Sequence, residues 1–139
     1  LRRAWAAGLR VIDSSALAAI LFGESECRRF IEAIEAAGER LISVANWVEI
    51  SIVVAARHGA EGDLALQRFV ERAEIEIVPI DLEQGQLARE AWRQFGKGRH
   101  PASLNFGDCF AYALCRQRCQ TLLYKGEDFC KTDIGKFSN

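Results

Sequence analysis

Short runs of aliphatic and β-branched residues alternate along the chain with longer stretches whose apolar residues recur every three or four positions. The short runs predict four strands, over residues 9–12, 41–44, 75–80 and 121–124. The longer stretches predict helices, because this spacing places apolar side chains on one helical face. Strands that alternate with helices are typical of an α/β fold whose parallel sheet is covered on both faces.

Capping residues and glycines set the predicted helix boundaries. Polar residues that favour helix starts, and glycines that favour helix ends, bracket most of the periodic stretches. We expect helices over residues 16–22, 24–38, 46–57, 60–72, 81–95 and 105–118, and a loop over residues 96–103. Gly59 is expected to separate the third helix from the fourth.

The composition limits the class of protein. A chain of 139 residues, half of them apolar, fits one domain with one core. We assign this domain to residues 9–134, with residues 1–8 as an N-terminal extension or a remnant added for expression, and residues 135–139 as a C-terminal tail. No apolar run approaches the ~20 residues of a membrane span. Five cysteines without a CxxC pair argue against a zinc finger and suit a reducing cytoplasm.

The charge is distributed unevenly. A net charge of −1 excludes a protein coated with basic residues, so any polyanion must be bound by a local patch. Residues 91–107 contain no acid, and this stretch carries Arg93, Lys97, Arg99 and His100. It predicts contacts with the phosphates of a polyanion such as a nucleic acid, to which Lys125 would add one more. An ordinary solvated loop explains the same residues equally well.

Three acidic residues stand out by their position. Asp13 directly follows the first predicted strand, and Glu49 is expected in the first turn of the helix after the second strand. Asp108 is expected in the first turn of the helix that precedes the last strand. Each also has a simpler interpretation, because acids favour helix starts. Asn46 and Asn105 even precede Glu49 and Asp108 at the spacing of a capping box.

Taken together, the acids favour a binding site. In an open α/β sheet, ligands bind beyond the carboxyl ends of the strands, where Asp13 and Glu49 are expected and which Asp108 can reach. Asp128 follows the fourth strand and is a better fourth member than Glu127 or Asp133. Clustered carboxylates repel one another, and hard cations such as Mg²⁺ or Mn²⁺ remove that penalty. Two further residues can either support this metal site or simply cap helices, namely Ser15 and Asn105.

The ordered set of motifs resembles the PIN-domain ribonucleases, and among them the VapC toxins of toxin–antitoxin pairs. It consists of VIDSSAL at residues 11–17, the lone Glu49 in an apolar helix, LNFGDCFAYA at residues 104–113 and LYKGEDF at residues 123–129. The resemblance covers residues 9–134. It implies a three-layer α/β/α sandwich with a central parallel sheet, and cleavage of RNA that depends on Mg²⁺ or Mn²⁺.

The same resemblance assigns roles and partners. Asp13, Glu49 and Asp108 match the three core acids, Asp128 matches a more variable fourth acid, and Ser15 matches a small hydroxyl position. A homodimer is implied, together with a VapB-like antitoxin that lays a peptide across the site. The residues before Val11 extend beyond the position at which members of this family usually begin.

Two other functions remain open at this point. One is a phosphate-ester hydrolase with an aspartyl nucleophile, although that chemistry usually places a second acid where Ser15 stands. The other is a non-catalytic PIN-like module that only binds a partner, although none of the core acids is replaced.

Overall fold

The computed structural model describes residues 8–136, and its elements follow one another in the predicted α/β order. The strands are β1 Leu9–Ile12, β2 Glu39–Ser43, β3 Ile75–Val78 and β4 Thr121–Leu123. The helices are α1 Ser14–Leu21, α2 Cys27–Ala36, α3 Val44–Arg72, α4 Leu82–Phe95 and α5 Phe106–Arg118. Two short 3-10 turns, Phe129–Lys131 and Asp133–Lys136, follow β4. The predicted extension up to residue 7 and residues 137–139 of the predicted tail lie outside the described residues.

All strand pairs in the sheet are parallel, and the strand order is β3-β2-β1-β4. The chain therefore moves outward from β1 to β3 in one direction and then crosses back to place β4 on the other side of β1. This reversal is a topological switch point, where the carboxyl ends of β1 and β4 border a crevice. The predicted site thus has a defined place at this edge of the sheet.

Neighbouring residues within each strand belong to different layers of the core. Val11, Leu41 and Leu122 pack on the face covered by α4 and α5. The residues that follow them, Ile12, Ile42 and Leu123, pack on the face covered by α1, α2 and α3. Side chains alternate across a strand, so this division requires a sheet buried on both faces. The predicted three-layer α/β/α sandwich is confirmed.

Helix α3 spans the two helices predicted over residues 46–57 and 60–72. Gly59 has non-helical angles (φ 60°, ψ −142°), in a left-handed region that glycine adopts without strain. The helix bends so sharply there that a Cβ on Gly62 would lie 2.4 Å from the carbonyl oxygen of Val54. The predicted break at Gly59 is therefore present as a kink within one helix.

Several predicted boundaries are wrong, including the starts of α1 at Ser14 and of β2 at Glu39. Ser43 is the N-cap of α3 and accepts a hydrogen bond from the Ala45 N–H, so α3 begins at Val44 and not at Asn46. Strand β3 ends at Val78, because Pro79 has no N–H to continue the ladder. Helix α2 begins at Cys27, three residues later than predicted.

All five cysteines are free thiols. Between residues 8 and 136, no helix has the length and apolar character needed to cross a membrane.

Candidate active site

A cleft of about 320 Å³ opens at the carboxyl edge of β1 and β4. All four acids predicted for the site border it, together with both residues predicted to support them. The full lining consists of Asp13, Ser14, Ser15, Ala18, Glu49, Ile50, Val53, Asn105, Asp108, Lys125, Asp128 and Phe129. The predicted convergence of these residues is therefore present in the structure. Their catalytic roles remain predictions.

Asp13 lies at the floor of the cleft and is 2% exposed. Its backbone N–H donates to the Leu123 carbonyl, which ties the end of β1 to β4. Its carboxylate caps α1 by accepting a hydrogen bond from the Ser15 N–H at 3.0 Å through Oδ2, while Oδ1 is buried without a hydrogen-bond partner. Burial is the main reason that its pKa rises to about 6. The acid both caps a helix and presents an unsatisfied oxygen.

Glu49 is held by neighbours that the sequence analysis did not select. It lies in the second turn of α3, not in the first as predicted, because α3 begins at Val44. The Ser14 hydroxyl donates to Oε1 of Glu49, and the side-chain amide of Asn46 donates to the same oxygen at 3.4 Å. The predicted capping box between Asn46 and Glu49 is therefore wrong. Their four-residue span instead links two side chains within the helix.

Asp108 lies in the first turn of α5, as predicted. The Asn105 side chain accepts from the Asp108 N–H at 2.9 Å, and the Asp108 carboxylate accepts from the Asn105 N–H at 3.0 Å. The predicted capping box is confirmed at this position. Burial is the main reason that the pKa of Asp108 rises to about 7, and three neighbouring negative charges also contribute to this rise: Asp13, Asp128 and Glu49. The electrostatics thus join all four acids in one site.

The residues after β4 close the open side of the cleft. Asp128 is exposed and immediately precedes the 3-10 turn that begins at Phe129. The Ser15 hydroxyl accepts from the Lys125 N–H at 2.9 Å, so it fixes the backbone after β4 as well as the start of α1. The Lys125 ammonium lies 2.7 Å from Glu24 and 3.5 Å from Glu26. Its charge is therefore already paired before any phosphate arrives.

The other basic residues predicted to bind RNA do not line the cleft. Arg93 borders a separate, mainly apolar groove between α4 and α5. The Arg99 guanidinium lies over the Trp92 ring, 4.6 Å from its centroid. His100 accepts a hydrogen bond from the Ala102 N–H through Nδ1 and therefore stabilises its own loop. Lys97 is exposed on that loop.

Asp133, the late acid considered in the sequence, lies away from the cleft. Its carboxylate accepts from the Tyr112 hydroxyl at 2.9 Å and from Arg116 at 3.1 Å. It therefore joins the turn after β4 to α5. Glu127 does not border the cleft either, which favours Asp128 as the fourth acid.

Three residues that surround Glu49 were not predicted as part of the site. They are Ser14, Asn46 and Gly107, and all three contact Glu49. Ser14 immediately follows Asp13, so its position beside a predicted metal ligand was a usable signal. The interpretation of Asn46 as a helix cap gave no indication that its side chain is buried. Gly107 carried no local signal, because its contact with Glu49 depends on how α3 and α5 pack.

The cleft fits a hydrated divalent cation better than a closed cage of protein ligands. Within residues 8–136, no three His, Cys, Asp or Glu side chains are placed to ligate one ion directly. Yet the acids supply hard oxygen donors, and Asp13 retains a buried oxygen without a hydrogen-bond partner. Burial raises the pKa values of Asp13 and Asp108, and a cation bound beside them would favour their ionised forms. Mg²⁺ commonly binds through one or two carboxylates and keeps several waters.

Sequence comparisons identify related proteins over nearly the whole chain. A family model described as the PIN domain matches residues 10–135. VapC ribonuclease Mb0640 of Mycobacterium bovis and Ribonuclease VapC30 of Mycobacterium tuberculosis are each 47% identical over 124 residues, covering 89% of this chain and 95% of either relative. Ribonuclease VapC of Mycolicibacterium smegmatis is 44% identical, with 89% of this chain and 96% of the relative covered.

Two solved structures show the same fold. Mycobacterium tuberculosis VapC20, described as a sarcin-ricin loop cleaving toxin, superimposes with a TM-score of 0.70 at 15% identity over 86% of this chain and 92% of that one. A chain of a toxin–antitoxin complex from Klebsiella pneumoniae gives 0.67 at 17% identity, over 89% and 92%. The chain therefore belongs to the PIN-domain family, as a VapC-type member.

Proposed function

We propose that the protein is an endoribonuclease dependent on Mg²⁺ or Mn²⁺ and that it acts as the toxin of a toxin–antitoxin pair. The observation that carries this proposal is the convergence of Asp13, Glu49, Asp108 and Asp128 in one cleft at the switch point of the sheet. The names of the relatives at 47% identity, which call them ribonucleases, support RNA as the substrate class.

The residues of the cleft would have different roles in this reaction. A divalent cation bound there would activate water as a nucleophile and offset the charge that builds on the phosphodiester. Asp13 and Asp108 would hold the cation, because they are the acids whose ionised forms the cleft disfavours most in its absence. Glu49 and Asp128 would complete the set of oxygens around it, directly or through bound water. Asn105 and Ser15 keep Asp108 and the backbone after β4 in place.

Two partners belong to this proposal. A VapB-like antitoxin would cover the cleft, and two copies of the chain would form a homodimer. Several large apolar side chains among residues 8–136 are exposed and are available to such partners: Val48, Ile52, Leu82, Trp92 and Phe106. Size-exclusion chromatography with light scattering would measure the mass of the chain alone. A monomer at every concentration would contradict the dimer.

The test of the activity uses two aspartates that both cap a helix after a strand. Asp13→Asn and Asp81→Asn each keep a capping oxygen, since asparagine caps as well as aspartate does. Only Asp13 borders the cleft, whereas Asp81 caps α4 and accepts from Gln84. We expect the parent and Asp81→Asn to cleave RNA with Mg²⁺ or Mn²⁺ and to arrest growth on expression. Asp13→Asn should lose both activities, by more than about a hundredfold in rate, since even residues that only support a metal ligand contribute 10–100-fold.

Removal of the metal completes the test. EDTA should abolish cleavage by the parent, and excess Mg²⁺ should restore it. If Asp13→Asn stays as active as the parent, or if EDTA leaves cleavage unchanged, the proposal is wrong. A folded Asp13→Asn is expected, because the substitution removes a carboxylate that burial disfavours.

A further inference from the structure

Asn46 connects the two helices that carry Glu49 and Asp108. Its side chain is fully buried. Its amide nitrogen donates to the Gly107 carbonyl at 3.0 Å and to Oε1 of Glu49 at 3.4 Å. Because Gly107 immediately precedes Asp108, one side chain on α3 contacts one acid directly and the backbone beside another.

The chemistry of its neighbours determines how this amide is oriented. A carbonyl and a carboxylate only accept hydrogen bonds, so the nitrogen of Asn46 must face both. Its oxygen Oδ1 then lies buried without a hydrogen-bond partner. A buried acceptor without a hydrogen-bond partner destabilises the fold. An apolar residue of similar size would avoid that penalty, which argues against a role in stability alone.

Gly107 supplies the space for this arrangement. A Cβ at this position would lie 2.5 Å from Oε2 and 2.8 Å from Oε1 of Glu49. The absence of a side chain therefore allows the carboxylate to reach the first turn of α5. Ser14 donates to the same Oε1 from the start of α1. Glu49 therefore accepts hydrogen bonds from α1 and from within α3, and Asn46 also reaches α5 through the Gly107 carbonyl.

We propose that Asn46 is a positioning residue that holds the Glu49 carboxylate against the start of α5 and so sets its separation from Asp108. This inference rests on the proposed metal-dependent function of the cleft. If the amide is lost, Glu49 keeps only the Ser14 hydroxyl, and the acids present a less ordered set of oxygens to the cation. Substitution should therefore weaken binding of the metal and slow the chemical step, while leaving RNA affinity unchanged.

The test compares two buried amides of the same kind. Asn46→Leu removes the donor without adding a charge, and Gln84→Met does the same at a site outside the cleft. Gln84 is 2% exposed, donates to the Pro79 carbonyl at 3.1 Å and also leaves its side-chain oxygen without a partner. Calorimetric titration with Mn²⁺ alone, without RNA, gives the readout of metal affinity. Steady-state cleavage of a fluorescent RNA separates kcat from KM.

We expect Asn46→Leu to bind Mn²⁺ some 10–100-fold more weakly and to lose a comparable factor in kcat with KM unchanged. Gln84→Met should match the parent in both. Gly107→Ala provides a second route and decides the question if Asn46→Leu does not fold. Its methyl group displaces Glu49, whereas alanine favours the helix more than glycine does. It should show the same loss of Mn²⁺ affinity.

Two results would overturn the role of Asn46. One is Mn²⁺ affinity and kcat at the parent level in Asn46→Leu, or in Gly107→Ala if the first variant does not fold. The other is an equal loss in Gln84→Met. Failure of the proposed function is distinguishable, because the parent chain itself would then neither bind Mn²⁺ nor cut RNA, and this inference would fall with it.

Discussion

The acidic cleft and the basic loop over residues 96–103 are neighbours in sequence, since the loop ends just before α5, but they are organised by different forces. The predicted acids border one cleft at the switch point of the sheet. The basic side chains of the loop do not line this cleft. Arg99 lies over Trp92, and His100 accepts from the Ala102 N–H. The sequence predicts a metal site from the acids and RNA contacts from the basic loop, and the structure brings together only the acids.

The difference shows for which residues the position in the fold can be predicted from the sequence. Asp13 follows a strand and starts a helix, so the direction of a parallel strand determines where it lies. Asp108 starts α5 within a capping box, which fixes its side chain locally. The orientation of Arg99 depends on a ring from α4, and no local pattern encodes that contact. Residues at element ends are therefore predictable, whereas residues within loops are not.

The largest expected effect is on the acidic side of this comparison. Asp108→Asn keeps an oxygen that can accept from the Asn105 N–H but removes the charge. We expect the rate of RNA cleavage with saturating Mn²⁺ to fall by more than about a hundredfold. Asp133→Asn is the matched control, because Asp133 accepts from Tyr112 and Arg116 away from the cleft. Equal losses in both variants would mean that the cleft is not the site of chemistry.

Much of the fold follows from the sequence for the same reason. The four strands, the parallel sheet and the two covered faces are predictable from apolar periodicity, and so is the bend at Gly59. The start of α3 is not, because Ser43 and Asn46 are both good caps and only the end of β2 selects Ser43. The link between Asn46 and Gly107 spans 61 residues and depends on the packing of α3 against α5. Local patterns do not contain that information.

The second expected effect is on the pH dependence of the free energy of unfolding, to which the acidic cleft should contribute and the basic loop should not. In the metal-free protein, burial raises the pKa of Asp13 from 3.8 to about 6 and that of Asp108 to about 7. The unfolded chain releases these protons at lower pH than the folded chain does. The free energy of unfolding should therefore fall as pH rises from about 4 to about 7, by about 3 kcal/mol for a shift of two units at Asp13 alone.

Urea denaturation in EDTA across this pH range measures the effect. Asp13→Asn should show a smaller loss of stability with rising pH, and Arg99→Ala should follow the parent, because the basic loop contributes no buried acid. Added Mg²⁺ should restore stability most at the higher pH, since it binds the ionised carboxylates. If the parent and Asp13→Asn lose stability equally, burial of Asp13 does not shift its ionisation, and the electrostatic contrast between the two regions disappears.

The smallest expected effect tests whether the basic loop contributes to RNA affinity at all. Arg99→Ala should raise KM a few-fold, leave kcat unchanged and reduce the dependence of binding on salt by about one phosphate contact. Arg57→Ala is the matched control, because its guanidinium also lies over an aromatic ring, 4.2 Å from the centroid of Phe22, on the opposite side of the sheet. Fluorescence anisotropy with a short RNA measures binding, and the Asp13→Asn background, which we expect to be inactive, prevents cleavage during the measurement. The same salt dependence in both arginine variants would show that the loop is an ordinary solvated segment that takes no part in binding RNA.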